Sequence, residues 1–182
     1  MNIEQTTIKD LVVLNPTIFA DSRGYFFEAY NEQKLAALGI SIDFVQDNQS
    51  FSQKGTIRGL HYQNPPFAQT KLVRVLVGEI IDVAVDLRRD SPTFGQHFAI
   101  RLSAENNKQL LIPHGFAHGF SVLSETATIL YKCDQFYDKA SEGGIRFDDQ
   151  DLNIDWGMDT QNAIISEKDM LLPSFNMCNS QF

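Results

Sequence analysis

The chain has 182 residues, 43% of them hydrophobic, and a formal net charge of −8, which fits one domain around one sizeable core. The acidic balance argues against nonspecific nucleic-acid binding, which calls for a basic face, yet leaves room for a phosphate-bearing small ligand held by a local cluster of cations. No apolar run approaches the roughly 18 residues that span a bilayer, and Glu4, Lys9 and Asp10 stand where a signal peptide needs an apolar stretch, so a cytoplasmic protein with no membrane partner is expected.

The first regular element in chain order is "NEQKLAALG" (31–39), where Asn31 can cap a short helix, Leu35 and Leu38 share a face and Gly39 can stop it. "TIRGLHY" (56–62) reads as a strand before the Pro65-Pro66 break. Strict alternation there sets Ile57, Gly59 and His61 against Arg58, Leu60 and Tyr62, which separates Arg58 from His61 unless Gly59 carries a bulge or twist. "KLVRVLV" (71–77) and "IIDVAVDLR" (80–88), joined through Gly78-Glu79, predict a hairpin. Val73, Val75 and Val77 then face the core, with Lys71 on the same side. Further strands are predicted at 98–102, 109–112 and 126–132, the last placing Tyr131 on the face of Ile129 and Ala127. Short strands at about ten-residue spacing, with no repeat and no linker, predict an all-β sandwich or closed barrel over residues 1–182.

Ionisable groups inside a barrel are costly unless paired or functional. Lys71 can snorkel from the barrel mouth and Tyr131 can be a core ring with a bonded hydroxyl; found together on neighbouring strands, they also mark a site. His61 stays open between metal ligand, proton-transfer base and core residue. "IPHGFAHGF" (112–120) resembles the second motif of the cupin jelly rolls, which raises the metal question. Cupin metal sites generally use an H-x-H pair in the first motif, but here that region reads His61-Tyr62-Gln63. His61 and His118 alone fall short of a divalent metal's usual ligand count. Cys133 and Cys178 form neither a metal spacing nor a disulfide framework, and His97 and His114 receive no role.

Longer stretches are similar to the dTDP-4-dehydrorhamnose 3,5-epimerase family. They are "DSRGYFFEAYN" (21–31), "FVQDNQS" (44–50), "IRGLHYQNPPFAQTKLVRVLVGEIIDVAVDLRRDSPTFG" (57–95), "LSAENNKQLLIPHGFAHGFSVLS" (102–124), "YKCDQFYDKASEGGIRFDDQDLNIDW" (131–156) and "SEKD" (166–169). The resemblance implies a cupin-type jelly roll, a homodimer, no metal and no cofactor. It implies inversion at C3 and C5 of dTDP-4-dehydro-6-deoxy-D-glucose. Carried over by position, His61 is the base, Asp169 its carboxylate partner, Tyr131 the opposite-face acid and Lys71 the cation beside the C4 oxygen. Nucleotide and sugar contacts fall on Arg23, Glu28, Gln46, Asp47, Asn48, Arg58, His118, Tyr137, Glu142 and Lys168, with segment 21–31 reaching a partner subunit's site. His97 and Phe147 stand where the family commonly has larger aromatic residues, at noncatalytic positions.

The residue types suit that chemistry. Both carbons lie alpha to a ketone, so deprotonation gives an enolate whose charge gathers on the C4 oxygen, where a lysine ammonium stabilises it. Inversion needs a second proton carrier on the other face, and a carboxylate beside histidine fixes its tautomer. Arginine suits the diphosphate. Three other readings stand: an epimerase of one carbon only on a related sugar, a metal-dependent cupin, and a noncatalytic sugar-nucleotide binder.

Overall fold

A computed structural model describes all 182 residues. In chain order the elements are β1 (Asn2–Gln5), β2 (Val12–Asn15), β3 (Phe19–Asp21), β4 (Gly24–Phe26), α1 (Glu32–Ala37), β5 (Gln46–Gln53), β6 (Ile57–Gln63), β7 (Lys71–Val77) and β8 (Glu79–Asp86). There follow β9 (His97–Ser103), β10 (Gln109–Ile112), β11 (Phe116–Val122), β12 (Thr126–Cys133), β13 (Glu142–Gly144) and α2 (Glu167–Met170). The predicted helix forms as read. The Asn31 side chain accepts from the Lys34 N–H, Gly39 takes a left-handed φ of +84° just past the end, and Leu35 is buried.

Two antiparallel sheets face each other in the cupin-type arrangement expected. One orders its strands β1-β2-β10-β7-β12-β5 and the other β13-β6-β11-β8-β9. The inner faces supply Val73, Val75, Ala127 and Ile129 from one sheet and Ile80, Ala84, Phe116 and Phe120 from the other, forming the main core. A second apolar layer, including Ile57, Leu60, Tyr62, Val83 and Val85, lies on the outer face of the five-stranded sheet against Ile145, Leu152 and Trp156. A third joins Leu35 of α1 to Leu72 and Leu111 on the outer face of the six-stranded sheet.

The predicted hairpin at 71–88 does not exist. β7 pairs with β10 and β12, whereas β8 pairs with β9 and β11, so the chain crosses between sheets at Gly78, with a φ of +81°. A side chain there would meet the Thr126 carbonyl oxygen at 2.1 Å, which is why the corner is a glycine. The register of β7 against β12 also shifts between Thr128 and Ile129, and Val77 ends 52% exposed rather than in the core. The bulge breaks the alternation before its last member.

Candidate active site

A cavity of about 680 Å3 opens between the sheets at one end of the barrel. The six-stranded sheet contributes Ser50 and Ser52 from β5, Lys71 from β7 and Tyr131 from β12; the five-stranded sheet contributes Arg58 and His61 from β6 and His118 from β11. The short helix α2 closes one side with Lys168 and Asp169. His61, Lys71 and Tyr131 also line an adjoining cavity of about 160 Å3 with Gln46, Asn48, Tyr137 and Glu142.

Arg58 and His61 face the same cavity because β6 is bulged. Against β11 the register runs His118 to His61 and then Phe120 to Arg58, so Gly59 and Leu60 together oppose Gly119. The extra residue switches the phase of the pleat: Ile57, Leu60 and Tyr62 all join the outer layer, while Arg58 and His61 turn inward. Gly59 has a φ of +112°, and a Cβ there would lie 2.6 Å from the Gly119 Cα and 2.7 Å from the His118 carbonyl oxygen. Gly59→Ala is therefore expected to cost on the order of 3 kcal/mol. That lowers the thermal midpoint by about 6 to 12 °C and moves Arg58 out of the cavity. Differential scanning fluorimetry with substrate-analogue titration checks this; an unchanged midpoint would show that the bulge tolerates a side chain.

His61 Nε2 lies 2.8 Å from Asp169 Oδ1, and the second carboxylate oxygen accepts from the Gly59 N–H at 3.2 Å. The Ser166 hydroxyl caps α2 by accepting from the Asp169 N–H, which holds the nearly buried carboxylate toward β6. Burial opposes ionisation of Asp169, but the hydrogen bonds from His61 and Gly59 outweigh it and keep the carboxyl below its ordinary range. With one ring nitrogen held by this carboxylate, the other carries the lone pair that can accept a proton.

On the facing sheet, burial pushes the Tyr131 hydroxyl above its usual pKa, the Arg58 guanidinium opposing only in part. The ring keeps its proton at neutral pH. Burial pushes the Lys71 ammonium below its ordinary value, against the fields of Cys133, Asp82 and Glu142. Arg58 is braced for an anion: its Nε donates to Ser52 Oγ at 2.9 Å and its Nη2 to the Phe51 carbonyl oxygen at 3.2 Å. Near the smaller cavity Glu142 accepts from Lys168 Nζ at 2.7 Å and from the Tyr137 hydroxyl at 2.9 Å, and Gln46 Nε2 donates to Asn48 Oδ1 at 3.0 Å. No three His, Cys, Asp or Glu side chains converge to hold a metal ion.

Most of the predicted site residues thus meet at these two cavities, and three do not. Asp47 lies on the outer face of β5, where alternation sends it opposite to Gln46 and Asn48, and it pairs with Lys132 at 2.9 Å. Arg23 sits at the tip of the β3–β4 hairpin with an 88% exposed side chain bonded to Asp21. Glu28 is engaged by Lys34 and Asn31 beside α1. Sequence reasoning also missed Asp82 and Ser52. β8 is apolar or buried on both faces, so its pattern does not announce which side carries the site.

The model of the family described as dTDP-4-dehydrorhamnose 3,5-epimerase matches residues 5–177. The chain belongs to the dTDP-4-dehydrorhamnose 3,5-epimerase family. A dTDP-4-dehydrorhamnose 3,5-epimerase of Shigella flexneri is 51% identical over 93% of this chain and 93% of its own. The crystal structure of the enzyme from Elizabethkingia anophelis superposes with a TM-score of 0.93 at 52% identity, covering 97% of each chain. The epimerase of Legionella pneumophila, solved in complex with dTDP-4-keto-L-rhamnose, gives a TM-score of 0.92 at 47% identity, covering 97% of this chain and 93% of that one. The protein is accordingly an isomerase with a cupin-type fold, of a family of dTDP-sugar epimerases in the rhamnose pathway.

Proposed function

We propose that this enzyme inverts both C3 and C5 of dTDP-4-dehydro-6-deoxy-D-glucose through an enolate, without metal or cofactor, using the side chains of one cavity. The observation that carries the reading is that His61 and Tyr131 enter this cavity from opposite sheets. A sugar ring lying between the sheets then presents one face to each. His61, held by Asp169, removes the proton alpha to the ketone. The electron pair moves onto the C4 oxygen, where the Lys71 ammonium holds the charge. Tyr131 returns a proton from the opposite face, which inverts the carbon. The same cycle at the other alpha carbon completes the double epimerisation.

Arg58 holds the diphosphate. His118 contacts the sugar, while Gln46, Asn48, Tyr137, Glu142 and Lys168 line the nucleotide side. The whole chain works as one domain in a homodimer. Phe19, Tyr25 and Phe26 are each more than 60% exposed on the β3–β4 hairpin, an apolar surface that a second copy would cover. The hairpin would carry Arg23, and the adjoining segment Glu28, into the partner's cavity, and sedimentation velocity reads the stoichiometry directly. Asp47 has no ligand contact in this reading.

Incubated with the proposed substrate in D2O and excess chelator, the enzyme is expected to place deuterium at both C3 and C5, read by proton NMR. Label at one carbon only assigns a mono-epimerase. Folded enzyme that leaves both carbons unlabelled has a different activity.

A further inference from the structure

One buried carboxyl group behind the cavity wall takes no part in the proton transfers. Asp82 lies on the inward face of β8, fully buried, with Oδ1 2.8 Å from His118 Nε2. Its Oδ2 is also buried and has no hydrogen-bond partner. A carboxylate in that position is costly unless a charge or ligand compensates it. His118 stands directly opposite His61 in the β6–β11 register, so two His-Asp pairs lie side by side on one sheet. Sharing a sheet with His61, the second pair cannot serve as the opposite-face proton donor.

The other wall of the cavity carries Lys71, a partly buried ammonium with no carboxylate at ion-pair distance. Three groups act on it: Cys133 of the adjacent strand β12, and Asp82 of β8 and Glu142 of β13 on the facing sheet. Cys133 is a buried thiol whose burial keeps it protonated, and Glu142 is already paired with Lys168. Asp169 is spent on His61 and the Gly59 N–H, while Arg58, His118 and Tyr131, which also line the cavity, bring no carboxylate. Asp82 is the remaining carboxylate with an oxygen to spare.

We propose that Asp82 is a positioning residue for the enolate step, its Oδ1 holding the His118 ring at the cavity wall and its free Oδ2 supplying the counter-charge that keeps Lys71 an ammonium. The proposal rests on the enolate reading above. Lysine is charged below its pKa and loses that charge as the pH rises through it. Removing a nearby negative charge lowers the pKa, so activity is lost at lower pH.

Asp82→Asn keeps the size and an oxygen for His118 but removes the charge. With kcat and KM followed from about pH 6 to pH 10, KM is expected to change by less than about threefold. The alkaline limb of the kcat profile moves down by about one pH unit, so that above the wild-type limb kcat falls about tenfold. In a Lys71→Arg background, where the cation does not titrate in this range, adding Asp82→Asn leaves the limb of the residual activity where it is. Circular dichroism checks folding, and Asp82→Ser is the substitute if the asparagine variant does not fold. An unmoved limb with kcat within about twofold of wild type makes Asp82 a packing residue only and overturns the proposal. So does a limb that moves equally in the arginine background. Failure of the enolate reading itself looks different: wild-type enzyme then exchanges no carbon-bound hydrogen with D2O.

Discussion

Replacement of His61 by alanine is expected to reduce deuterium exchange at both C3 and C5 by about 100- to 10,000-fold, the range typical for loss of a general base. Two imidazoles on the sheet facing Tyr131 are held by carboxylates, His61 by Asp169 and His118 by Asp82, and in the proposed reaction His61 is the one that takes the alpha protons while His118 contacts the sugar. Tyr131→Phe is expected to behave differently. The base still removes the proton and can return a deuteron to the same face, so exchange survives while inversion slows. NMR time courses of exchange and epimerisation separate the two variants. Equal loss of exchange in both would contradict the division of roles between the sheets.

Replacement of Lys71 by methionine should lower kcat by about 100- to 1,000-fold, or about 3 to 4 kcal/mol, because the developing C4 oxyanion loses its stabilising cation. Stability should move the other way. Burial holds the Lys71 pKa below its ordinary value, so the ammonium costs folding free energy at neutral pH. That cost is fully present below the folded pKa and disappears as the pH rises past the value in the unfolded chain. A methionine of similar length avoids it, so the thermal midpoint near neutral pH is expected to hold or rise while turnover collapses. A variant that loses both turnover and stability would assign Lys71 to the framework of the barrel instead of to the reaction.

The inward direction of Lys71 and Tyr131 was readable from the chain because β7 and β12 keep their period of two through those residues, with Val73 and Val75 or Ile129 and Ala127 marking the core face. The helix at α1 was readable for an equally local reason, a capping asparagine and a stopping glycine. The route of the chain at Gly78 was not. A tight turn between two apolar strands reads the same whether they pair with each other or separate into two sheets, and only β10 and β12 on one side and β9 and β11 on the other decide it.

The site shows the same division. His61, Lys71 and Tyr131 were legible as chemistry and Arg58, His118 and Asp169 through the family resemblance, whereas their convergence depends on contacts far apart in sequence. Gly59 approaches Gly119 closely enough to bulge β6, which brings Arg58 round to the side of His61. Asp169 reaches His61 only because the chain returns across the outer face of the sheet and starts α2 beside β6. Asp82 stayed hidden because a strand buried on both faces has no solvent side to mark its polar residues as inward or outward. By itself, then, the sequence determined the all-β class, which follows from local periodicity, and the family, which follows from its motifs, and it named the residues proposed to react. The sheet each strand joins, the turned phase of β6 and the pairing of Asp82 with His118 were decided by the tertiary structure, because each is set by partners many residues away.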